Sequence, residues 1–356
     1  MCPVLSGIFK YFQKNAGSPA LYTAGVPKGE YLQYGGQAII EGVMMRSPHY
    51  FSIACRAPNG EIILQTEEVE KTWIGRQKWL KLPFLRGSLA LLDSMALGIK
   101  AMRFAANVQT DAKYLPSDQQ TAEMKVTHAK VQDATIGVTM VISLAIGLFI
   151  FNYLPNLIAE FSGRAMNNHN GQMINLVSEV VKGLFFVGYI GLIGLLPDIK
   201  EVFKYHGAEH KAINTLEADR PLNMEECQKQ TRLHPRCGTS FAVIVLVIGL
   251  VILTFVPRYP VTGGKQGLPI LDVTVRFFIE LMILPIIAGI SYELLRLAGK
   301  FRSTLLVNIL FRPGLWSQYL TTREPRDDQV EVALSALKAC MDAEEARSDS
   351  PAGSAA

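Results

Sequence analysis

The chain has 356 residues, of which 49% are hydrophobic and only 19% charged, against about 25% charge in a typical soluble domain. That balance excludes a disordered polar chain, speaks against an ordinary soluble enzyme, and makes hydrocarbon the expected solvent for part of the molecule. The formal charge of +4 on 35 basic and 31 acidic residues is too small and too dispersed for a nucleic-acid binder, which needs a concentrated basic face.

Residues 1–25 lack the apolar core of a secretory signal, so no cleaved leader is expected. The run Gly35-Gly36-Gln37-Ala38-Ile39-Ile40-Glu41-Gly42-Val43-Met44-Met45-Arg46 reads as a Gly-rich turn into a buried strand, with Glu41 and Arg46 as an internal ion pair. It matches neither the dinucleotide fingerprint nor the phosphate loop. Residues 50–57 and 61–69 are β-prone and meet at Pro58-Asn59-Gly60, a hairpin signal. Residues 83–107 place Leu85, Leu89, Leu92, Met95 or Ala96, Ile99 and Met102 at helical spacing between charges, predicting a helix on the membrane or packed on the spans. Residues 110–130 read as a polar linker.

Four stretches approach the 20 or so apolar residues a bilayer demands: 134–154, 176–197, 239–256 and 277–297, the last carrying Glu280, Glu293 and Arg296. The loops 155–175 and 257–276 are poor in Lys and Arg, whereas 198–238 and the region after 297 are rich in them. Since cytoplasmic loops accumulate these residues, both termini and the 198–238 loop are expected in the cytoplasm of a multi-pass plasma (inner) membrane protein. Gly263-Gly264-Lys265 is then a turn in an external loop. Residues 333–356 are Ala-rich, end in SDSPAGSAA and read as a frayed tail. The expected fold is mainly α: a polytopic helical bundle of about four spans with a small cytoplasmic β-element. It divides into an N-terminal region 1–133, a transmembrane domain 134–298 and a C-terminal region 299–356, with no internal repeat.

Five scattered cysteines, Cys2, Cys55, Cys227, Cys237 and Cys340, fit a reducing compartment rather than a disulfide framework. Three of the six histidines lie in the 198–238 loop. Asp198 and Glu201 suggest a capping box for a helix that carries His206-Gly207-Ala208-Glu209-His210. Histidines four apart share a helical face about 6 Å apart, within reach of one ion. The order H-x-x-E-H is that of the inverted zinc-peptidase motif, with the glutamate as general base. His234-Pro235-Arg236-Cys237 adds an imidazole and a thiol, ligands a borderline-soft ion such as zinc prefers. Four ligands, His206, His210, His234 and Cys237, would close a structural site. Three would leave an open position where water is acidified toward a pKa of about 7, with Glu209 as base. Glu41, Arg46, Glu217, Arg236 and Glu293 are the candidates to surround it. Of these, Glu217 reads as a solvated helix residue and Glu293 as a partner of Arg296.

The blocks GGQAIIEGVMMRSP, PFLRGSLALLDSMALGIKAM, FKYHGAEHKAIN, RLHPRCGTSF, SYELLRLAGK and PGLWSQYLTTREP together resemble the YqhQ-like family, bacterial membrane proteins catalogued as a domain of unknown function and described as predicted metal-dependent enzymes. The resemblance covers roughly residues 35–336. It implies a polytopic membrane protein with a divalent metal, carried here by His206, His210, His234 and Cys237 with Glu209 nearby. The expected function is a metal-dependent, hydrolytic enzyme at the cytoplasmic face, acting on a lipid, lipid-linked or membrane-protein substrate. The alternatives are a membrane scaffold or assembly factor pinned by structural zinc, and a transporter component.

Overall fold

The computed structural model describes residues 34–69, 82, 85–115, 129–167, 170–263, 269–300 and 305–348. Most of the expected 110–130 linker, the Gly264-Lys265 end of the external turn and residues 349–356 lie outside them. The elements begin with four strands, β1 (Gly35–Ile39), β2 (Gly42–Arg46), β3 (Tyr50–Arg56) and β4 (Ile62–Glu68), which pair in sequence order as an antiparallel sheet. Helix α1 (Leu85–Thr110) follows. Helix α2 (Ala129–Leu148) runs through a π-helical turn, Phe149–Tyr153, into α3 (Leu154–Ala165). Then come α4 (Gly171–Ile193), α5 (Pro197–Glu217), α6 (Met224–Lys229), α7 (Gly238–Thr254), α8 (Pro269–Lys300), α9 (Leu305–Thr321) and α10 (Asp327–Ser348).

The expected hairpin is β3–β4, and the Gly-rich run before it supplies β1 and β2. Pleating turns alternate residues to opposite faces. Val43, Met45 and Ala54 enter a core with Tyr205 and Ala212 of α5 and Val330, Ala333 and Leu337 of α10. Met44, Phe51, Ile53 and Cys55 enter a second core with Leu97, Ala101, Ala105 and Val108 of α1. The central strands β2 and β3 are thus covered on both sides, which explains why they read as largely apolar runs.

Two expectations are corrected here. The segment from Asp327 to Ser348 is no frayed tail but a helix, with Val330, Ala333, Ala336, Leu337 and Cys340 fully buried. Glu41 and Arg46 do not pair with each other. Tyr205 Oη donates to Glu41 at 3.0 Å, and Arg46 bridges to Asp93 of α1 at 2.6 Å.

Among the described residues, three helical segments are long and apolar enough to cross a membrane: Val141–Ala165, Gly171–Ile193 and Ile270–Leu297. Helix α7, at 17 residues, is apolar but shorter. The first apolar segment runs eleven residues past the expected end at 154. The widened turn places Pro155 at the start of α3, where a missing N–H costs no hydrogen bond. Val141, Leu144, Leu184 and Met282 are well exposed, a polarity compatible with a hydrocarbon solvent. Between these helices lies a buried ionic network. Lys182 bonds Glu179 and Glu280, both at 2.7 Å; Arg276 lies 2.8 Å from Glu280; Arg258 reaches Glu160 at 3.2 Å. Asn156 joins Arg258, Glu280 and Ser178.

Candidate metal centre

Pro197 opens α5 at its first position, so the expected capping box does not form. Leu196 is the cap residue, and Glu201 instead holds Lys204 and Arg326. Residues 218–236 fold back along α5. Asn214 Nδ2 donates to the carbonyls of Thr231 and Leu233, and Lys211 Nζ to that of Gln228. A short turn, with Cys237 N donating to His234 O at 3.3 Å, leads into α7, for which Cys237 is the N-cap residue.

This return brings His206, His210 and Cys237 together, with one donor atom from each within 4.8 Å of the others. His206 Nδ1 bonds the Thr321 carbonyl at 2.9 Å, and His210 Nδ1 bonds the Arg232 carbonyl at 2.6 Å. A carbonyl can only accept, so each Nδ1 carries a proton, and in the neutral imidazole that tautomer leaves the lone pair on Nε2. His206 Nε2 lies 3.2 Å from Cys237 Sγ. His210 Nε2 is buried and, among the described residues, makes no well-formed hydrogen bond, with the Cys237 thiol beside it, a cost a protein rarely leaves uncompensated. Imidazoles fixed through Nδ1 on backbone carbonyls and grouped with a thiol are the donor set zinc takes. The residues present therefore fit a divalent ion.

His234 lies outside this trio. Its ring centroid is 5.6 Å from that of His210, but its Nε2 faces Glu217 Oε1 at 3.3 Å. Gln318 holds its backbone from both sides, accepting from the His234 N–H and donating to its carbonyl. Glu217 also receives Arg236, so it is a partner of the loop rather than a solvated helix residue. Glu293 accepts from Arg86 of α1 rather than standing as a local pair on its own helix. Glu209 is buried, its Oε2 3.9 Å from His206 Nε2, and it accepts from the Gly36 backbone. Burial pushes its carboxyl above the usual range and lowers His210, while His234 is pushed down to about 4.

A cavity of about 720 Å³ opens beside the trio. His206, Glu209, His234, Arg236 and Cys237 line its polar end, and Arg46 and Gly36 reach it from the sheet. The carbonyls of Thr321 and Arg232 and the contact of Gly36 with Glu209 were invisible in the sequence, because a backbone group has no residue signature. Asp93 carried a signal: an acid within the apolar-spaced helix of residues 83–107.

The family model described as "Protein of unknown function (DUF1385)" matches residues 82–343. The chain is 34% identical over 309 residues to "Uncharacterized protein YqhQ" of Bacillus subtilis (strain 168), covering 85% of this chain and 91% of that protein. Neither description names an activity or a metal. No solved structure matches.

Proposed function

This chain belongs to the DUF1385 family, and we propose that it is a membrane-embedded, metal-dependent enzyme, hydrolytic in type, working at the cytoplasmic face on a membrane-associated substrate. The observation that carries the reading is the buried Nε2 of His210, without a well-formed hydrogen bond among the described residues and grouped with His206 and Cys237 within 4.8 Å. In this reading those three residues hold a divalent ion, zinc by the chemistry of the donors. Bound there, such an ion supplies Lewis-acid polarisation and a lowered pKa for water.

The chain's own residues supply the rest. Thr321 and Arg232 carbonyls fix both imidazoles in one tautomer. Glu209, raised by burial and facing the cavity, takes and returns a proton as general base and acid. Arg236, paired with Glu217, and Arg46, paired with Asp93, line the same cavity, and in this reading they would have to exchange those partners to oppose developing negative charge. His234, turned to Glu217, stays outside the ligand set, which leaves three ligands beside a cavity. That arrangement supports catalysis over the closed structural site of a scaffold. The chain crosses the plasma membrane four times, through the segments at 141–165, 171–193, 238–254 and 270–297, with both termini cytoplasmic.

Glu209→Gln keeps size and removes basicity. The variant is expected to reach wild-type abundance in the membrane and to fail to complement a deletion strain. Full complementation by Glu209→Gln, with His210→Ala failing through loss of the protein, would replace the enzyme by a zinc-pinned scaffold.

A further inference from the structure

Much of the cavity's lining is apolar. Ala90, Leu91 and Met95 of α1, Phe241 of α7 and Leu295 of α8 contribute to it. Two of these also belong to the outside of the molecule: Leu91 is 38% and Met95 51% exposed. They open onto a stripe of Leu92, Met95, Ile99 and Met102, at three- and four-residue spacing and all exposed, while the opposite face of α1 packs Leu97, Ala101 and Val108 on the sheet. An apolar stripe facing away from the core is the mark of a helix lying in the membrane surface.

The contact of α1 with α8 sets its depth. A Cβ on Gly87 would lie 2.5 Å from Tyr292 Cβ and 3.1 Å from Gly289 Cα, and Ser88 Oγ donates to the Pro285 carbonyl at 2.6 Å. Counted from Ile270, the roughly 20 residues a bilayer needs are complete near Gly289, in the cytoplasmic third of the Ile270–Leu297 segment on the proposed topology. On this reading the cavity mouth at Leu91 and Met95 sits near the bilayer surface, and His206 and Cys237 of the trio line the same cavity.

We infer that the cavity admits an acyl-chain lipid sideways from the bilayer, past Leu91 and Met95, with the chain over Phe241 and Leu295 and the polar head toward His206, Glu209 and Cys237. The inference rests on the proposed site and names its substrate class. A volume of about 720 Å³ suits it, since pockets of roughly 300–1,000 Å³ enclose whole small ligands.

The full chain, reconstituted in phosphatidylcholine vesicles containing phosphatidylglycerol with a diazirine in its acyl chain, is irradiated and its labelled residues are mapped by mass spectrometry. Labels are expected on Ala90, Phe241 or Leu295 inside the cavity as well as on Leu92, Ile99 and Met102 outside. Met95→Trp, or Leu91→Trp should the first misfold, is expected to cut interior labelling several-fold and spare the outer stripe. Ile99→Trp, outside the lining, should leave interior labelling intact. Labelling confined to the outer stripe, or interior labelling indifferent to both mouth variants, overturns the inference. Zinc measured on the same samples separates the claims: zinc-free protein labelled inside overturns the metal reading alone, and zinc-loaded protein unlabelled inside overturns the lipid inference alone.

Discussion

Gly207 sits between the two histidines because nothing larger fits. A Cβ there would stand 2.0 Å from the Arg323 carbonyl oxygen, in a segment that also donates from Arg323 N to Phe203 O at 2.9 Å. The same segment supplies the Thr321 carbonyl that orients His206. Gly207→Ala is therefore expected to cost about 1–3 kcal/mol, the usual penalty of overpacking, and to weaken metal retention, read from denaturation and zinc content of the detergent-purified protein. Gly183→Ala, whose Cβ meets nothing within 4 Å, serves as the control. An equal loss in both variants would contradict this account. At this scale the sequence was informative where spacing alone decides geometry. His206 and His210 share a face by helical repeat, and Cys237 lay close enough in the same loop to be suspected. The fate of His234 depended on how residues 218–236 fold back, and the pairing of Glu217 with Arg236 followed from that fold.

Among the elements, α10 shows most plainly what composition hides. Val330, Ala333, Leu337 and Cys340 recur at helical spacing, but three of the core residues, Ala333, Ala336 and Cys340, are small. Their burial comes from close approach to β2 and β3 rather than from bulk. The Ala-rich stretch running into SDSPAGSAA thus resembled a solvated tail. Leu337→Ala is expected to destabilise the protein by about 2–5 kcal/mol, visible as a lower melting temperature and lower membrane abundance; a change under about 1 kcal/mol would contradict the buried position. The apolar helices were legible because long uncharged runs need no pattern. Their ends were less so. The π-helical turn absorbs Pro155, and the helices run on because Asn156 donates to Glu280 and Arg258 pairs with Glu160. Glu179/Lys182 and Arg276/Glu280, at i,i+3 and i,i+4, were the available signal of that network.

Across the whole molecule, the sheet, α5 and α10 form one cytoplasmic body in this reading, and the apolar helices carry it on the membrane. In the same reading the basic residues of the 198–238 loop would set the orientation. In intact cells an impermeant thiol reagent is expected to label Met166→Cys and not Lys229→Cys, both exposed positions; the reverse pattern would invert the topology. The buried ionic network offers a foothold for a transport reading, yet Lys182, Arg258 and Arg276 each have a carboxylate partner at 2.7–3.2 Å, the arrangement of a lock rather than a path. The central claim is that His206, His210 and Cys237 hold one ion. Elemental analysis of the detergent-purified chain tests it most directly. Stoichiometric zinc is expected in the wild type, with its loss in His210→Ala while circular dichroism shows the fold retained, and its retention in Glu209→Gln and His234→Ala. Wild-type protein without bound transition metal, or zinc unchanged in His210→Ala, would contradict it.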